Sequence, residues 1–137
     1  MSKPVHRVAL ALVHDGPLWL VARRLPHAHL GGLWEFPGGK CGPGETAAEA
    51  ALRELREECG IEAEPQHELA ERSCEYEDRI VHLLPVICRW ARGTPRPLGS
   101  AECRWVTADE LATLAMPAVN ADLVRQAVRW LQGAGGV

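Results

Sequence analysis

The chain has 137 residues, of which 47% are hydrophobic, and this composition predicts one domain over residues 1–137 with a buried core. Its formal net charge of −3 carries no electrostatic signature of nucleic-acid backbone binding. The five cysteines include no CxxC pair, which argues against a disulfide framework or a zinc knuckle and favours reduced thiols. No apolar run reaches membrane-spanning length and the N-terminus lacks a signal-peptide core, so we expect a soluble, cytoplasmic protein.

The first third of the chain predicts strands. Residues 8–13 form a continuous apolar run of the length of a buried strand. Turn residues follow at 14–17 and the apolar pattern resumes at 18–22, so the two segments predict a hairpin. After a polar loop, residues 33–36 predict a short strand that Pro37-Gly38-Gly39 should end.

A helix is predicted to begin after Thr46. Thr46 and Glu49 have the spacing of a capping box, in which each side chain accepts a hydrogen bond from the other residue's backbone. Gly60 has the position of a typical helix end. The residues that recur at helical spacing and predict the buried face are Ala48, Ala51, Leu52, Leu55 and Cys59.

The second half predicts two strands at 66–75 and 79–90, with Pro85 marking a bulge or a sheet edge. A short strand follows at 104–106, and Thr107 with Glu110 forms a second capping box that opens a short helix. Either Met116-Pro117 or Asn120 begins a last helix. This order of strands, helix, strands and helices predicts an α/β fold around a mixed sheet.

The predicted helix carries Glu54, Glu57 and Glu58 at positions i, i+3 and i+4, which share one helical face. Like charges repel, and we identify no group on the same face that offsets this repulsion. The segment 45–58 holds five acids against two bases and so accounts for the whole net charge of −3. A divalent metal ion is the simplest expected partner; the alternative is a solvated face supported by an Arg53–Glu57 pair.

Magnesium suits such a face because it binds few protein carboxylates together with water and substrate phosphates. The glycine-rich loop before the helix lets the backbone approach a substrate closely. The loop is not a P-loop, because Gly39-Lys40 is followed by Cys41 rather than by Ser or Thr.

The spacing of the whole segment resembles a known motif. Gly39, five residues, Glu45, seven residues, Arg53-Glu54-Leu55, one residue, Glu57-Glu58, one residue and Gly60-Ile61 together match the complete Nudix box. The resemblance implies the Nudix fold, an α/β/α sandwich around a mixed β-sheet, with the box as a loop–helix–loop. It also implies hydrolysis of a nucleoside diphosphate linked to another group, with Mg²⁺ or Mn²⁺ as the cofactor.

The resemblance assigns a role to each residue of the acidic face. Glu57 and Glu58 would be metal ligands, and Glu54 would lie at the metal or at the attacking water. The Gly38 carbonyl would be a further ligand.

Three more charged residues receive supporting roles by the same resemblance. Arg53 would orient Glu57, and Glu45 would be a structural carboxylate. Glu102 is the candidate for an additional carboxylate that the family often takes from a loop before a later strand; an ordinary surface glutamate is the alternative.

Residues 23–40, 76–79 and 117–120 are also similar to the MutT-type 8-oxo-dGTP diphosphatases within this family. The similarity implies that Asn120 reads the oxidised guanine, since an amide both donates and accepts hydrogen bonds. Phe36 would pack on the base, and Arg24 and Arg79 would contact base, sugar or phosphate. The alternatives are a helix N-cap for Asn120, a core position for Phe36 and surface charges for the two arginines.

The expected partner is therefore a small-molecule nucleotide, and we expect no nucleic-acid or membrane partner. We expect the protein to be a monomer, with a dimer as the alternative. Two other functions stay open at this point. One is a Nudix hydrolase for CTP, a dinucleoside polyphosphate or a pterin triphosphate. The other is a non-catalytic Nudix-fold binding module, although such modules tend to lack carboxylates of the box and all are present here.

Overall fold

The computed structural model describes residues 2–135. The strands are β1 (Val5–Asp15), β2 (Leu18–Arg23), β3 (Trp34–Glu35), β4 (Gly38–Lys40), β5 (Glu62–Glu68), β6 (Arg72–Glu75), β7 (Ile80–Arg92) and β8 (Glu102–Val106). The helices are α1 (Ala47–Cys59), α2 (Ala108–Thr113) and α3 (Ala118–Trp130), which continues as a π-helical turn over Leu131–Gly135.

The strands form a mixed sheet in the order β3-β2-β1-β7-β5. The long central strands β1 and β7 pair in parallel, from Val5 opposite Ile80 to His14 opposite Arg89. The other pairings are antiparallel, with β4 on β1, β6 on β7 and β8 on β2. The predicted mixed sheet is thus confirmed.

Helices cover both faces of this sheet. Because neighbouring side chains of a strand point to opposite faces, Ala9, Ala11 and Val13 of β1 pack with α1, whereas Leu12 packs with α2 and α3. A strand buried on both faces reads as a continuous apolar run, which explains residues 8–13. The α/β/α sandwich is confirmed.

Both predicted capping boxes are confirmed. The Thr46 hydroxyl accepts from the Glu49 N–H at 3.1 Å, and the Glu49 carboxylate accepts from the Thr46 N–H at 2.9 Å. Thr107 and Glu110 make the same pair of bonds at the start of α2. Gly60 ends α1 with φ of 69°, a conformation that glycine adopts without steric cost.

The single strand predicted over 66–75 is wrong, because the chain leaves the sheet between β5 and β6. Pro85 explains the break. The Pro85 carbonyl accepts a hydrogen bond from the Leu69 N–H at 2.9 Å, so this edge of Pro85 faces the gap between β5 and β6. Because proline has no N–H, it cannot donate a hydrogen bond to the neighbouring strand at this point. Pro85 therefore lies inside a central strand rather than at an edge, and the register shifts fall in β5.

Two further sequence predictions need correction. The segment Pro37-Gly38-Gly39 does not only end a strand. Gly38–Lys40 forms β4, which pairs with the edge of β1 opposite β7. On α1, Ala48 and Leu52 are half-buried, and the buried stripe is rotated so that it includes other alanines. The buried residues of α1 are Ala47, Ala50, Ala51, Leu55 and Cys59.

The last helix begins after Pro117, which is its N-cap, so Met116-Pro117 rather than Asn120 introduces it. Within the described part of the chain, no helix is long and apolar enough to cross a membrane. The single domain over 1–137 stays a prediction, and Met1, Gly136 and Val137 lie outside the described residues.

Replacing Thr46 with alanine should lower the free energy of unfolding by about 1 kcal/mol, because it removes the side-chain half of the capping box. Urea denaturation followed by circular dichroism measures the change. Thr46→Ser is the matched control, since its hydroxyl can still accept from Glu49. An equal loss in both variants would contradict the capping explanation.

Candidate active site

Strand β4 packs very closely against β1 and α1. A Cβ on Gly38 would collide with the Ala9 carbonyl oxygen of β1, and a Cβ on Gly39 would lie 2.5 Å from the carboxylate of Glu54. Glycine at both positions therefore brings the backbone of β4 against the sheet and leaves room for Glu54 beside it.

Arg53 binds the carboxylates of the box together. Its guanidinium donates two hydrogen bonds to Glu45, at 2.8 and 3.0 Å, and one each to Glu54 at 2.8 Å and Glu57 at 3.2 Å. It also donates to the Lys40 carbonyl at 2.9 Å. The expectation that no group offsets the repulsion on this face is thus wrong. The contact with Glu57 suits the orienting role expected of Arg53.

Glu45 is held in its ionised form. Hydrogen bonds from Arg53, and then from the Gly42 N–H at 2.7 Å, lower the pKa of Glu45 to about 2. This carboxylate ties the glycine-rich loop to α1 and is committed to protein partners, which suits its expected structural role.

Glu58 has the opposite environment. Its Oε2 accepts from the Gly38 N–H at 3.3 Å, and no cation pairs with it in the described part of the chain. Burial, and then the negative charge of Glu54, raise the pKa of Glu58 to about 8. The arrangement would therefore be stabilised by an added positive charge next to Glu58.

The donor types fit a hard divalent cation. The carboxylates of Glu54, Glu57 and Glu58 and the Gly38 carbonyl supply only oxygen, which Mg²⁺ and Mn²⁺ prefer. Within residues 2–135, however, no three acidic, His or Cys side chains already stand as a ligand group. The Glu57 side chain is 59% exposed and turned toward Arg53. Its role as a ligand stays a prediction.

A cavity of about 470 Å³ opens beside this cluster. It brings Gly38, Gly39 and Glu58 of the box together with three of the residues expected to bind a nucleotide, Arg24, Phe36 and Arg79. The remaining lining residues are His6, Val8, Leu10, Leu25, Ala28, Glu35, Lys40, Val81 and Gly99.

The two arginines that line the cavity have different partners. Arg24 donates to the Glu35 carboxylate at 2.9 Å and to the His29 carbonyl at 2.5 Å. Arg79 lies over the ring of Tyr76, with 4.7 Å between guanidinium carbon and ring centroid.

Phe36 combines both roles considered for it. It is only 1% exposed and belongs to the core under α3, yet it also lines the cavity. A core position and contact with a ligand are therefore compatible.

Glu35 is a cavity residue that the sequence reasoning did not single out. Burial raises its pKa, which Arg24 partly offsets by hydrogen bonding and charge, and the charge of Glu35 in turn contributes to the raised pKa of Glu58. The available signal was a lone carboxylate between two buried aromatic residues, Trp34 and Phe36. His6 and Lys40 gave no comparable signal.

Asn120 does not line the cavity. It is the third residue of α3 and 5% exposed, so the N-cap alternative is wrong. The side-chain hydrogen bonds within α3 run from Arg125 and Gln126 to Asp122, and Asn120 makes none among the described residues. Its side-chain amide therefore has no hydrogen-bond partner within residues 2–135.

The contacts of Glu102 are with residues outside the acidic cluster. It is the first residue of β8 rather than part of a loop, and it pairs with Arg23 of β2 in the sheet register. Its half-exposed carboxylate lies 3.4 Å from Arg104. Neither contact connects Glu102 to the cavity, so its catalytic role stays a prediction.

Comparison with known proteins agrees with this architecture. A family model described as NUDIX domain matches residues 8–126. A crystal structure of a MutT protein from Methanosarcina mazei Go1 has a TM-score of 0.82 with 24% identity, covering 94% of this chain and 96% of that one. At this identity the structural likeness shows the shared fold.

Two relatives are named for an enzymatic activity. A CTP pyrophosphohydrolase of Escherichia coli (strain K12) is 43% identical over 81 residues, which are 59% of this chain and 59% of that protein. An 8-oxo-dGTP diphosphatase of the same strain is 35% identical over 112 residues, which are 80% of this chain and 84% of that protein. The family match spans most of the chain and includes the complete box. The chain therefore belongs to the Nudix family of hydrolases.

Proposed function

We propose that this protein is a Mg²⁺- or Mn²⁺-dependent pyrophosphohydrolase that converts 8-oxo-dGTP and related nucleoside triphosphates to nucleoside monophosphate and pyrophosphate. It would act in the cytoplasm and remove oxidised nucleotides from the pool used for DNA synthesis. The observation that carries the proposal is the single cavity that joins the box to Arg24, Phe36 and Arg79.

One end of the cavity suits a metal-bound diphosphate. Glu54, Glu57, Glu58 and the Gly38 carbonyl would hold the ion, which neutralises phosphate charge and acidifies a bound water. Lys40 lines the same cavity and supplies a positive charge for phosphate oxygens. Arg53 keeps Glu54 and Glu57 in place from the far side through its bonds to Glu45 and Lys40.

The other end suits a nucleoside. Phe36 lines this part of the cavity but is 1% exposed, so packing on a base would require the cavity to open further, and Arg24 and Arg79 offer hydrogen-bond donors. Glu35 adds a carboxylate acceptor next to Arg24. Asn120 would complete base recognition through its uncommitted amide, which requires that a bound base reach beyond the present cavity lining.

We propose the chemical step that the resemblance to the MutT-type enzymes implies. A water oxygen attacks the β-phosphorus, a new O–Pβ bond forms, and the bond from Pβ to the α–β bridging oxygen breaks. The nucleoside monophosphate leaves with that oxygen. A carboxylate of the cluster takes the proton from water.

CTP is the second candidate substrate. The observation in its favour is the 43% identity to a CTP pyrophosphohydrolase, although that match spans 59% of each chain. The match to the 8-oxo-dGTP diphosphatase has lower identity but spans 80% of this chain.

A substrate panel separates the two candidates. At saturating Mg²⁺, kcat/KM for pyrophosphate release should be higher with 8-oxo-dGTP than with dGTP or CTP. Asn120→Ala should reduce the preference for 8-oxo-dGTP over dGTP by about 10-fold or more, since one lost base contact is worth about 1–3 kcal/mol. A preference for CTP would overturn the substrate assignment, and an unchanged preference in Asn120→Ala would overturn the role of Asn120.

Glu57→Gln should lower kcat by about 10²-fold or more, because losing a charged metal ligand removes several kcal/mol of transition-state stabilisation. Its thermal unfolding should change little, since the side chain is mostly exposed. Glu62→Gln is the matched control, because it removes the same charge just beyond the box, where Glu62 lies 3.8 Å from Arg56. Near-normal turnover of Glu57→Gln at saturating Mg²⁺ would contradict the ligand assignment.

The raised pKa of Glu58 predicts a pH dependence of stability in metal-free buffer. The folded protein keeps this proton up to about pH 8, whereas the unfolded chain releases it near its ordinary value of 4.5. The folded state therefore binds more protons in this window, and stability falls as pH rises.

Glu58→Gln should weaken this fall in Tm between pH 5 and pH 8, and it should reduce the stabilisation that added Mg²⁺ gives the wild type at pH 8. Differential scanning fluorimetry measures both. Identical pH profiles in the two proteins would show that Glu58 is not the group responsible.

A further inference from the structure

Two thiols from distant parts of the chain meet behind the acidic cluster. The Sγ atoms of Cys59, the last residue of α1, and Cys103, in β8, are 3.8 Å apart. Cys59 is fully buried and Cys103 is half-buried, so solvent reaches the pair from the side of Cys103. No other cysteine pair within residues 2–135 makes such a contact. The remaining free cysteines are Cys41, Cys74 and Cys88.

The segment between β7 and β8, residues 93–101, contacts the Cys103 thiol and is bonded to the end of α1. The Cys103 Sγ lies 3.5 Å from the Arg96 carbonyl oxygen and 3.6 Å from the Ser100 Oγ. The Arg96 N–H donates to the Cys59 carbonyl at 2.9 Å, and the Leu98 N–H donates to the Glu58 carbonyl at 3.0 Å. A Cβ on Gly99 would lie 3.6 Å from the Glu58 Cγ. The 93–101 segment, the thiol pair and Glu58 therefore form one packed unit.

We propose that Cys59 and Cys103 are a redox modification site at which hydrogen peroxide forms a reversible disulfide that slows the hydrolase. A disulfide needs an S–S distance of about 2.05 Å, so the two sulfurs must approach each other by roughly 1.8 Å. Rotation of the side chains supplies part of this movement, and the last turn of α1 and the start of β8 supply the rest.

The reaction balances without any further reactant. The more accessible Cys103 sulfur attacks a peroxide oxygen, the O–O bond breaks, and a sulfenic acid and water form. The Cys59 sulfur then attacks the Cys103 sulfur, the S–S bond forms, the S–O bond breaks, and a second water leaves. Two thiols lose two electrons and two protons to one peroxide molecule.

The disulfide would affect the proposed active site through a shift of the backbone. Cys59 follows Glu58 directly, and Glu58 accepts from the Gly38 N–H at 3.3 Å. A shift in the last turn of α1 therefore moves Glu58 relative to β4. The effect on turnover rests on the proposed hydrolase function, whereas formation of the bond does not.

The test treats the reduced full-length protein with hydrogen peroxide and maps disulfides by mass spectrometry of peptides without reduction. We expect a cross-linked peptide pair that contains Cys59 and Cys103, and a mass lower by two hydrogen atoms. Turnover of the best nucleotide of the panel should fall by roughly 10-fold, since misplacing catalytic groups by about 1 Å can cost up to about 10²-fold. Dithiothreitol should restore it.

Cys103→Ser should keep its turnover after peroxide, and Cys103→Ala serves the same purpose if serine is not tolerated. Cys74→Ser is the matched control, because its half-buried thiol lies on β6, and it should respond like the wild type.

Absence of the cross-linked peptide would overturn the proposal, as would a complete cross-link with unchanged turnover or an equal loss in Cys103→Ser. Failure to hydrolyse any nucleotide would overturn the proposed function instead, and the peptide map would still decide whether the disulfide forms.

Discussion

The candidate site depends on the hydrogen bonds and ion pairs that the Arg53 guanidinium makes. It contacts three carboxylates and one carbonyl, so a single cation holds α1, the glycine-rich loop and β4 in one arrangement. Without it, the carboxylates of Glu45, Glu54 and Glu57 would repel one another with no positive charge between them. Arg53 does not reach Glu58, and Glu58 is the carboxylate whose pKa is raised. One cation therefore offsets part of the charge of Glu45, Glu54 and Glu57, whereas Glu58, which lines the cavity, has no cationic partner within residues 2–135.

The sheet provides the rigid support for this cluster. The strand β1 is buried on both faces, pairs along its length with β7, and receives β4 on its other side. Gly38 packs against the Ala9 carbonyl, so the carbonyl expected to bind a metal belongs to a short strand and not to a free loop. Groups carried by a packed strand are held more precisely than groups on a mobile loop.

The two ends of the cavity differ in origin. The proposed phosphate end comes from one contiguous stretch, from Gly38 to Glu58, whose spacing alone specifies the box. The proposed nucleoside end is assembled from Arg24, Phe36 and Arg79, which lie in three separate loops. Two relatives of the chain are named for different activities, a CTP pyrophosphohydrolase and an 8-oxo-dGTP diphosphatase.

Local patterns in the sequence were sufficient for the features that depend on near neighbours: the capped helix α1, the hairpin of β1 and β2, and the spacing of Glu54, Glu57 and Glu58. Tertiary structure alone decided the features that depend on distant partners. It placed β4 on β1, broke the strand at Leu69 opposite Pro85, set Glu35 beside Arg24 and moved Asn120 inside α3. It also brought Cys59 to Cys103 across 44 residues. The physical reason is that helix caps and side-chain periodicity act within a few residues, whereas strand partners and cavity walls are set by packing between segments remote in the chain.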